Sequence, residues 1–224
     1  MKVKDSVALV FAGGDPPPAP LARRLPRDGL VIGADAGVEH ALTLGRHVDL
    51  AIGDFDSLKP DVLARVEQAG ALVDRHPTDK DATDLELALL AACERRVERI
   101  TVVGGHGGRL DHFVANVLLL AAPDLADVEL DAWLGAAHVT VVRREAPING
   151  SPGELVSLLA VGGPAFGVTT IGLRFPLHDA PLRAGSTLGV SNELVGTAGS
   201  VSVRSGVVLA VQPHALGLGG DAAS

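Results

Sequence analysis

The chain has 224 residues, enough for one large domain or two modest ones. A formal net charge of −8 and a pI near 5.4 leave no basic stripe for nucleic acid, and apolar runs such as Val117 to Ala122 fall far below the ~20 residues a membrane helix needs. A single cysteine, Cys93, excludes a disulfide framework and a multi-cysteine zinc site, and no apolar leader precedes the first Gly-Gly, so a cytoplasmic protein is expected.

From residue 6 to about 145, short β-branched or apolar runs alternate with helical patterns, the signature of βαβ units on a parallel sheet. Strands are predicted at Ser6 to Phe11, Leu30 to Ile32, Val48 to Ile52, Ala71 to Val73, Ile100 to Val103, Val128 to Trp133 and His138 to Val142. Helices are predicted at Asp61 to Ala69, at Thr83 to Arg96, and from Asp111 or His112 to about Ala121, where Pro123 stops the last. In the second, Leu85, Ala88, Leu89, Ala92 and Cys93 form one apolar stripe, and Thr83-Asp84-Leu85-Glu86 is a capping box.

After Asn149-Gly150 the pattern changes. Strands are predicted at Leu155 to Ala160, Gly167 to Ile171, Thr187 to Val190 and Val207 to Val211, with turn residues between them and no further helix. The expected organisation is a parallel-sheet α/β domain over 1–145, a small all-β sandwich over 146–218 and a tail over 219–224.

Open α/β sheets bind ligands beyond the carboxyl ends of their strands. Here those ends carry Gly13-Gly14-Asp15, Gly33-Ala34-Asp35, Gly53-Asp54-Phe55-Asp56, Asp79-Lys80-Asp81-Ala82-Thr83-Asp84 and Gly104-Gly105-His106-Gly107-Gly108-Arg109-Leu110-Asp111. Carboxylates converging on one edge repel unless a cation sits among them, and hard oxygen ligands suit Mg²⁺. Asp54 and Asp56 point the same way if their segment is extended. The competing reading is that each Asp caps a turn or helix, as Asp84 does in the first turn after Thr83. Lys80 is either a solvated loop charge or a phosphate ligand. The glycine run suits a backbone nest for phosphate, with Arg109 as a fixed guanidinium beside it. There is no Walker A loop, no dinucleotide fingerprint, no zinc-ligand histidine pair and no nucleophile elbow.

In order, Gly33-Ala34-Asp35-Ala36-Gly37, Ile52-Gly53-Asp54-Phe55-Asp56-Ser57, Asp79 to Glu86 and Gly104 to His112 resemble the motifs of the thiamine pyrophosphokinase family. Gly172-Leu173-Arg174-Phe175-Pro176-Leu177 and Ser191-Asn192-Glu193 are similar to its C-terminal signature, so nearly the whole chain is covered. The resemblance implies an α/β domain followed by a β-sandwich, a homodimer with the acceptor site at the subunit interface, and transfer of pyrophosphate from ATP to the hydroxyl of thiamine, releasing AMP. It implies that Asp54, Asp56 and Asp84 hold Mg²⁺, with Asp35 near the metal or nucleotide. By the same resemblance Gly13, Gly14, Lys80, Thr83 and Arg109 face ATP, and Asp81, Arg109 and Asp111 are catalytic candidates. Asp111, Ser191 and Asn192 meet the thiamine side. Two departures from the family pattern stand out: Ala36 replaces a glycine, and with no tyrosine and the only tryptophan, Trp133, in the first domain, the platform for the acceptor ring falls to Phe175 or the job to a non-aromatic residue. The rival readings are a pyrophosphokinase for another heterocyclic primary alcohol, such as a hydroxymethyl pterin, and a non-catalytic nucleotide-binding module.

Overall fold

A computed structural model describes residues 6–217; the tail expected at 219–224 lies outside them. The described residues divide into two compact units, one running to Leu119 and resuming at Pro123–Gly135, the other comprising Leu120–Ala122 and the chain from Ala136 onward. The seventh predicted strand, grouped with the first domain by sequence, therefore belongs to the second unit. No helix among the described residues is long and apolar enough to cross a membrane.

The first unit is α/β. Its strands are β1 (Val7–Phe11), β2 (Leu30–Ala34), β3 (Leu50–Gly53), β4 (Leu72–Arg75), β5 (Arg99–Val103) and β6 (Glu129–Leu134). They pair in the order β4-β3-β2-β1-β5-β6, every pair parallel. The inner strands are largely apolar because both faces are covered: Ala8 to Phe11 and Ile100, Val102 and Val103 are all buried, and the one polar residue in that stretch, Thr101, donates to Asp131 Oδ1 at 2.8 Å.

The helices are α1 (Gly37–Thr43), α2 (Pro60–Gln68), α3 (Asp84–Glu94) and α4 (Leu110–Leu119). In α3 the predicted stripe faces the sheet: Leu85, Ala88, Leu89 and Ala92 are buried and Cys93 half-buried, each enclosed leucine contributing about 1.5–3 kcal/mol. The Thr83 side chain caps it, accepting from the Glu86 amide at 3.2 Å. Helix α1 was not predicted. It spans seven residues, starts on a glycine and has no capping side chain, so it depends on burying Val38, His40 and Ala41 rather than on local signals. Helix α4 ends two residues before the predicted Ala121 and buries none of its side chains within the chain.

The second unit is antiparallel: β7 (Ala137–Val142), β8 (Glu145–Asn149), β9 (Leu155–Ile171), β10 (Ala180–Leu182), β11 (Asn192–Glu193), β12 (Ala198–Ser202) and β13 (Ser205–Gln212). They run in the order β7-β13-β9-β12-β8, with β10 and β11 also on β9. The two predicted strands at Leu155 to Ala160 and Gly167 to Ile171 are one strand. Gly162–Ala165 bulges opposite the single Gly206, whose backbone is left-handed (φ 88°) and whose Cβ would lie 2.6 Å from the Pro164 carbonyl oxygen. Beyond the bend β9 exchanges β13 for β10 and β12 as neighbours, and the turned strand encloses Ile148, Val156, Leu158, Val168, Val201 and Val208. Thr187 to Val190, predicted as a strand, is a turn with Leu188 and Val190 exposed.

Candidate active site

Strand order places the site. The chain lays β1 to β4 outward in one direction, then returns to set β5 against the other side of β1. The crevice beyond the carboxyl ends of β1 and β5 is a topological switch point, where adjoining loops diverge. Here, though, the two loops are first zipped together. Ala12 N–H donates to Val103 O (2.9 Å), Gly105 N–H to Gly13 O (2.8 Å) and Asp15 N–H to His106 O (2.8 Å). Asn116, on α4, adds a 3.0 Å bond from Nδ2 to Gly105 O.

A cavity of about 660 Å³ opens there, lined wholly by the first unit. Gly13, Gly14, Asp35, Asp54, Asp56, Lys80, Thr83, Asp84 and Arg109 all line it. Ser57, Thr78, His112 and Asn116 also do, and were not singled out from sequence. A signal for two of them existed, since Arg109, His112 and Asn116 stand at i, i+3 and i+7, one helical face. Asp81 and Asp111 are exposed and are not among the lining residues.

Asp35, Asp54 and Asp56 each offer an oxygen, all within 4.8 Å of one another. Asp54 and Asp56 do not converge through an extended segment. Phe55 between them has φ 61°, rare for a bulky residue, and it is fixed by burial of the ring, which also lies under the Arg75 guanidinium at 5.4 Å. Asp56 N–H then turns back to Asp54 Oδ1 at 3.3 Å. Asp35 is likewise left-handed (φ 47°), while Ala36 after it is helical at φ −58°, so the family's glycine is not needed there.

Burial pushes the Asp35 carboxyl above the usual carboxylate range, reinforced by the nearby Asp84 charge, and its Oδ1 is buried without a hydrogen-bond partner. Burial also acts to raise Asp54, but the Asp56 amide, Thr78 and Lys80 outweigh it and hold that carboxyl below its ordinary value. Asp84, expected with the metal ligands, lines the same cavity outside that trio and faces Lys80: Nζ lies 3.0 Å from Asp84 Oδ1, off hydrogen-bonding geometry, and 3.6 Å from Asp54 Oδ2. Arg109 forks onto Asp111, with Nε to Oδ1 at 3.2 Å and a terminal nitrogen to Oδ2 at 2.5 Å, and this guanidinium draws the Asp111 carboxyl down to about 2.

In the second unit the two C-terminal motifs meet. Asn192 is buried and makes three bonds: Oδ1 accepts from the Phe175 amide (3.0 Å) and the Glu193 amide (2.9 Å), and Nδ2 donates to Phe175 O (2.7 Å). Glu193 pairs with Arg174 at 2.9 Å, and that guanidinium sits 5.4 Å from the Phe175 ring. Phe175 is thus held 58% exposed on a fixed backbone. Ser191, also exposed, has φ 59° and donates its amide to Ser157 Oγ at 3.1 Å. Asn192→Ala is expected to lower the unfolding free energy by about 1–3 kcal/mol, the cost of stranding buried backbone groups, as read by urea denaturation; a change within error would mean the Phe175 segment does not depend on it.

The fold and site together define a class: α/β phosphate-handling enzymes with glycine-lined switch-point loops, an acidic edge and an appended antiparallel unit. Residues 22–130 match the family profile "Thiamin pyrophosphokinase, catalytic domain", and residues 139–208 match "Thiamin pyrophosphokinase, vitamin B1 binding domain". The thiamine pyrophosphokinase of Bacillus subtilis (strain 168) is 30% identical over 193 residues, 82% of this chain and 86% of that protein. A crystal structure of the Bacillus subtilis thiamine pyrophosphokinase superposes with a TM-score of 0.80 at 29% identity, covering 92% of this chain and 98% of that one. One from Geobacillus thermodenitrificans gives 0.76 at 30% identity, covering 92% and 96%. The chain belongs to the thiamine pyrophosphokinase family.

Proposed function

We propose that this chain transfers the pyrophosphoryl group of ATP to the primary hydroxyl of thiamine, giving thiamine diphosphate and AMP. The observation that carries the reading is the meeting, in one first-unit cavity, of a carboxylate trio, a glycine-lined loop clasp and Arg109, in a chain of this family.

Asp35, Asp54 and Asp56 would hold Mg²⁺. The donor set fits, being three hard oxygens, one of them from Asp35, whose Oδ1 is buried and unsatisfied. When bound, Mg²⁺ neutralises charge on the phosphates. The clasped loops present backbone to the phosphates and hold them in line with the acceptor. The acceptor oxygen forms its bond to the β-phosphorus as its proton passes to solvent, the bond from the β-phosphorus to the α-phosphate bridging oxygen breaks, and AMP leaves with that oxygen. Arg109 stabilises charge on the transferring group. Asp111 serves by orienting Arg109, with which it is paired through Oδ1 and Oδ2. Asn192 acts through Phe175, whose exposed ring offers a flat surface to a heterocycle.

Incubation with ATP, Mg²⁺ and thiamine is expected to yield AMP and thiamine diphosphate in equal amounts, with no AMP when thiamine is omitted. AMP formation with a pterin alcohol but not with thiamine would transfer the reading to that acceptor, and no ATP turnover with any acceptor would leave a binding module.

The functional unit is a homodimer in the cytoplasm, where ATP and a reduced thiol are at home. Leu110, Val114 and Leu118 stand at i, i+4 and i+8 on α4 and are 74%, 46% and 56% exposed, an apolar face that a second copy would cover. Sedimentation is expected to give the mass of two chains for the wild type and of one for Leu118→Glu; a dimer in both would move the interface elsewhere.

A further inference from the structure

We propose that Lys80 is a resident counter-ion of the acidic cluster, one that weakens binding of a bare divalent cation and gives way when the cation arrives with a nucleotide. The inference rests on the metal reading of Asp35, Asp54 and Asp56.

Lys80 is positioned by the chain just before α3. Its side chain is only 14% exposed, and its ammonium lies between Asp84 (3.0 Å) and Asp54 (3.6 Å) while donating to Pro77 O at 3.2 Å. One hydrogen bond, to Pro77 O, anchors the ammonium, and its charge faces the two carboxylates as an ion pair with each. Asp54 is shared: Oδ2 faces Lys80, while Oδ1 accepts the Asp56 amide and belongs to the turn that brings Asp56 alongside. A cation drawn to the trio must therefore approach a carboxylate already facing a positive charge.

Two like charges a few ångströms apart in a partly enclosed cleft repel strongly, because little water screens them. A bare divalent ion meets that repulsion in full. A metal–nucleotide does not, since its phosphates carry net negative charge and offer the ammonium new partners. The flexible four-carbon stem of lysine allows the head to move while its base stays fixed, which the rigid fork of arginine would allow less well. Asp84, the other partner, stays fixed at the start of α3 to receive the ammonium again when product leaves.

The test is a titration with Mn²⁺, followed by its electron paramagnetic resonance signal, first without and then with ATP. Without nucleotide, the neutral replacements Lys80→Met and Lys80→Gln are expected to bind Mn²⁺ about tenfold more tightly than the wild type, and Lys80→Arg to stay within about twofold of it. With ATP the order reverses, the neutral variants binding the metal–nucleotide about tenfold more weakly. Thermal unfolding confirms that each variant is folded, and either neutral variant suffices. Equal or weaker Mn²⁺ binding by a folded neutral variant overturns the proposal and leaves the cluster as a metal site. Absence of saturable Mn²⁺ binding by every form, with or without ATP, overturns the metal reading and the proposal with it.

Discussion

Asp54→Asn is expected to fold as the wild type does and to form AMP at no more than about a thousandth of its rate. Asparagine keeps the shape of the side chain and the oxygen that accepts the Asp56 amide, so the left-handed turn at Phe55 survives. The charge does not survive. Asp54 is the one member of the trio that is also within 4 Å of Lys80, and its neutralisation leaves Asp35 and Asp56 to hold a hard cation with two charges instead of three. Because, against burial, the Asp56 amide, Thr78 and Lys80 hold the Asp54 carboxyl below its ordinary value, losing its charge gives up a little stability, while the amide bond that shapes the turn remains and the fold is kept. Initial rates of AMP formation and a thermal melt on the same preparation check both halves. Wild-type turnover in the folded variant would remove Asp54 from the metal site.

The sequence located the acidic edge correctly for a simple reason: in a parallel sheet every strand's carboxyl end faces the same side, so residues just after apolar runs must share it. Which carboxylates meet was not legible. That Asp35 joins Asp54 and Asp56 depends on left-handed backbone at Asp35 and Phe55, and that Asp84 turns to Lys80 depends on where the loop before α3 lies. Neither leaves a mark in periodicity. In the second unit, β8 was not predicted because it contains Pro147, though its burial alternates strictly; proline is admitted because β8 ends the strand order and one of its edges carries no ladder. Gly162-Gly163-Pro164 disguised one strand as two, since the residues that bend a strand also end one.

Gly14→Ala is expected to reduce ATP-dependent turnover to about a hundredth or less and to destabilise the fold by about 2–4 kcal/mol, although alanine adds one carbon. At φ 101° the backbone lies where only glycine rests without strain. The added Cβ would also sit 2.2 Å from His106 O, a backbone atom that the Asp15 amide is itself holding at 2.8 Å. Neither atom is the end of a flexible side chain, so relief requires the β1 loop to lift off the β5 loop. That movement breaks the Asp15 bond, uncouples Gly13 from Gly105 and opens the crevice proposed to hold phosphate. Burial of the loop cannot compensate, because the peptide groups it frees have no other partners in the clasp. Initial rates at saturating thiamine separate this from an acceptor effect: a raised KM for ATP with reduced kcat is the expected pattern. Wild-type ATP kinetics in a stably folded Gly14→Ala chain would show that the nucleotide does not use the clasp.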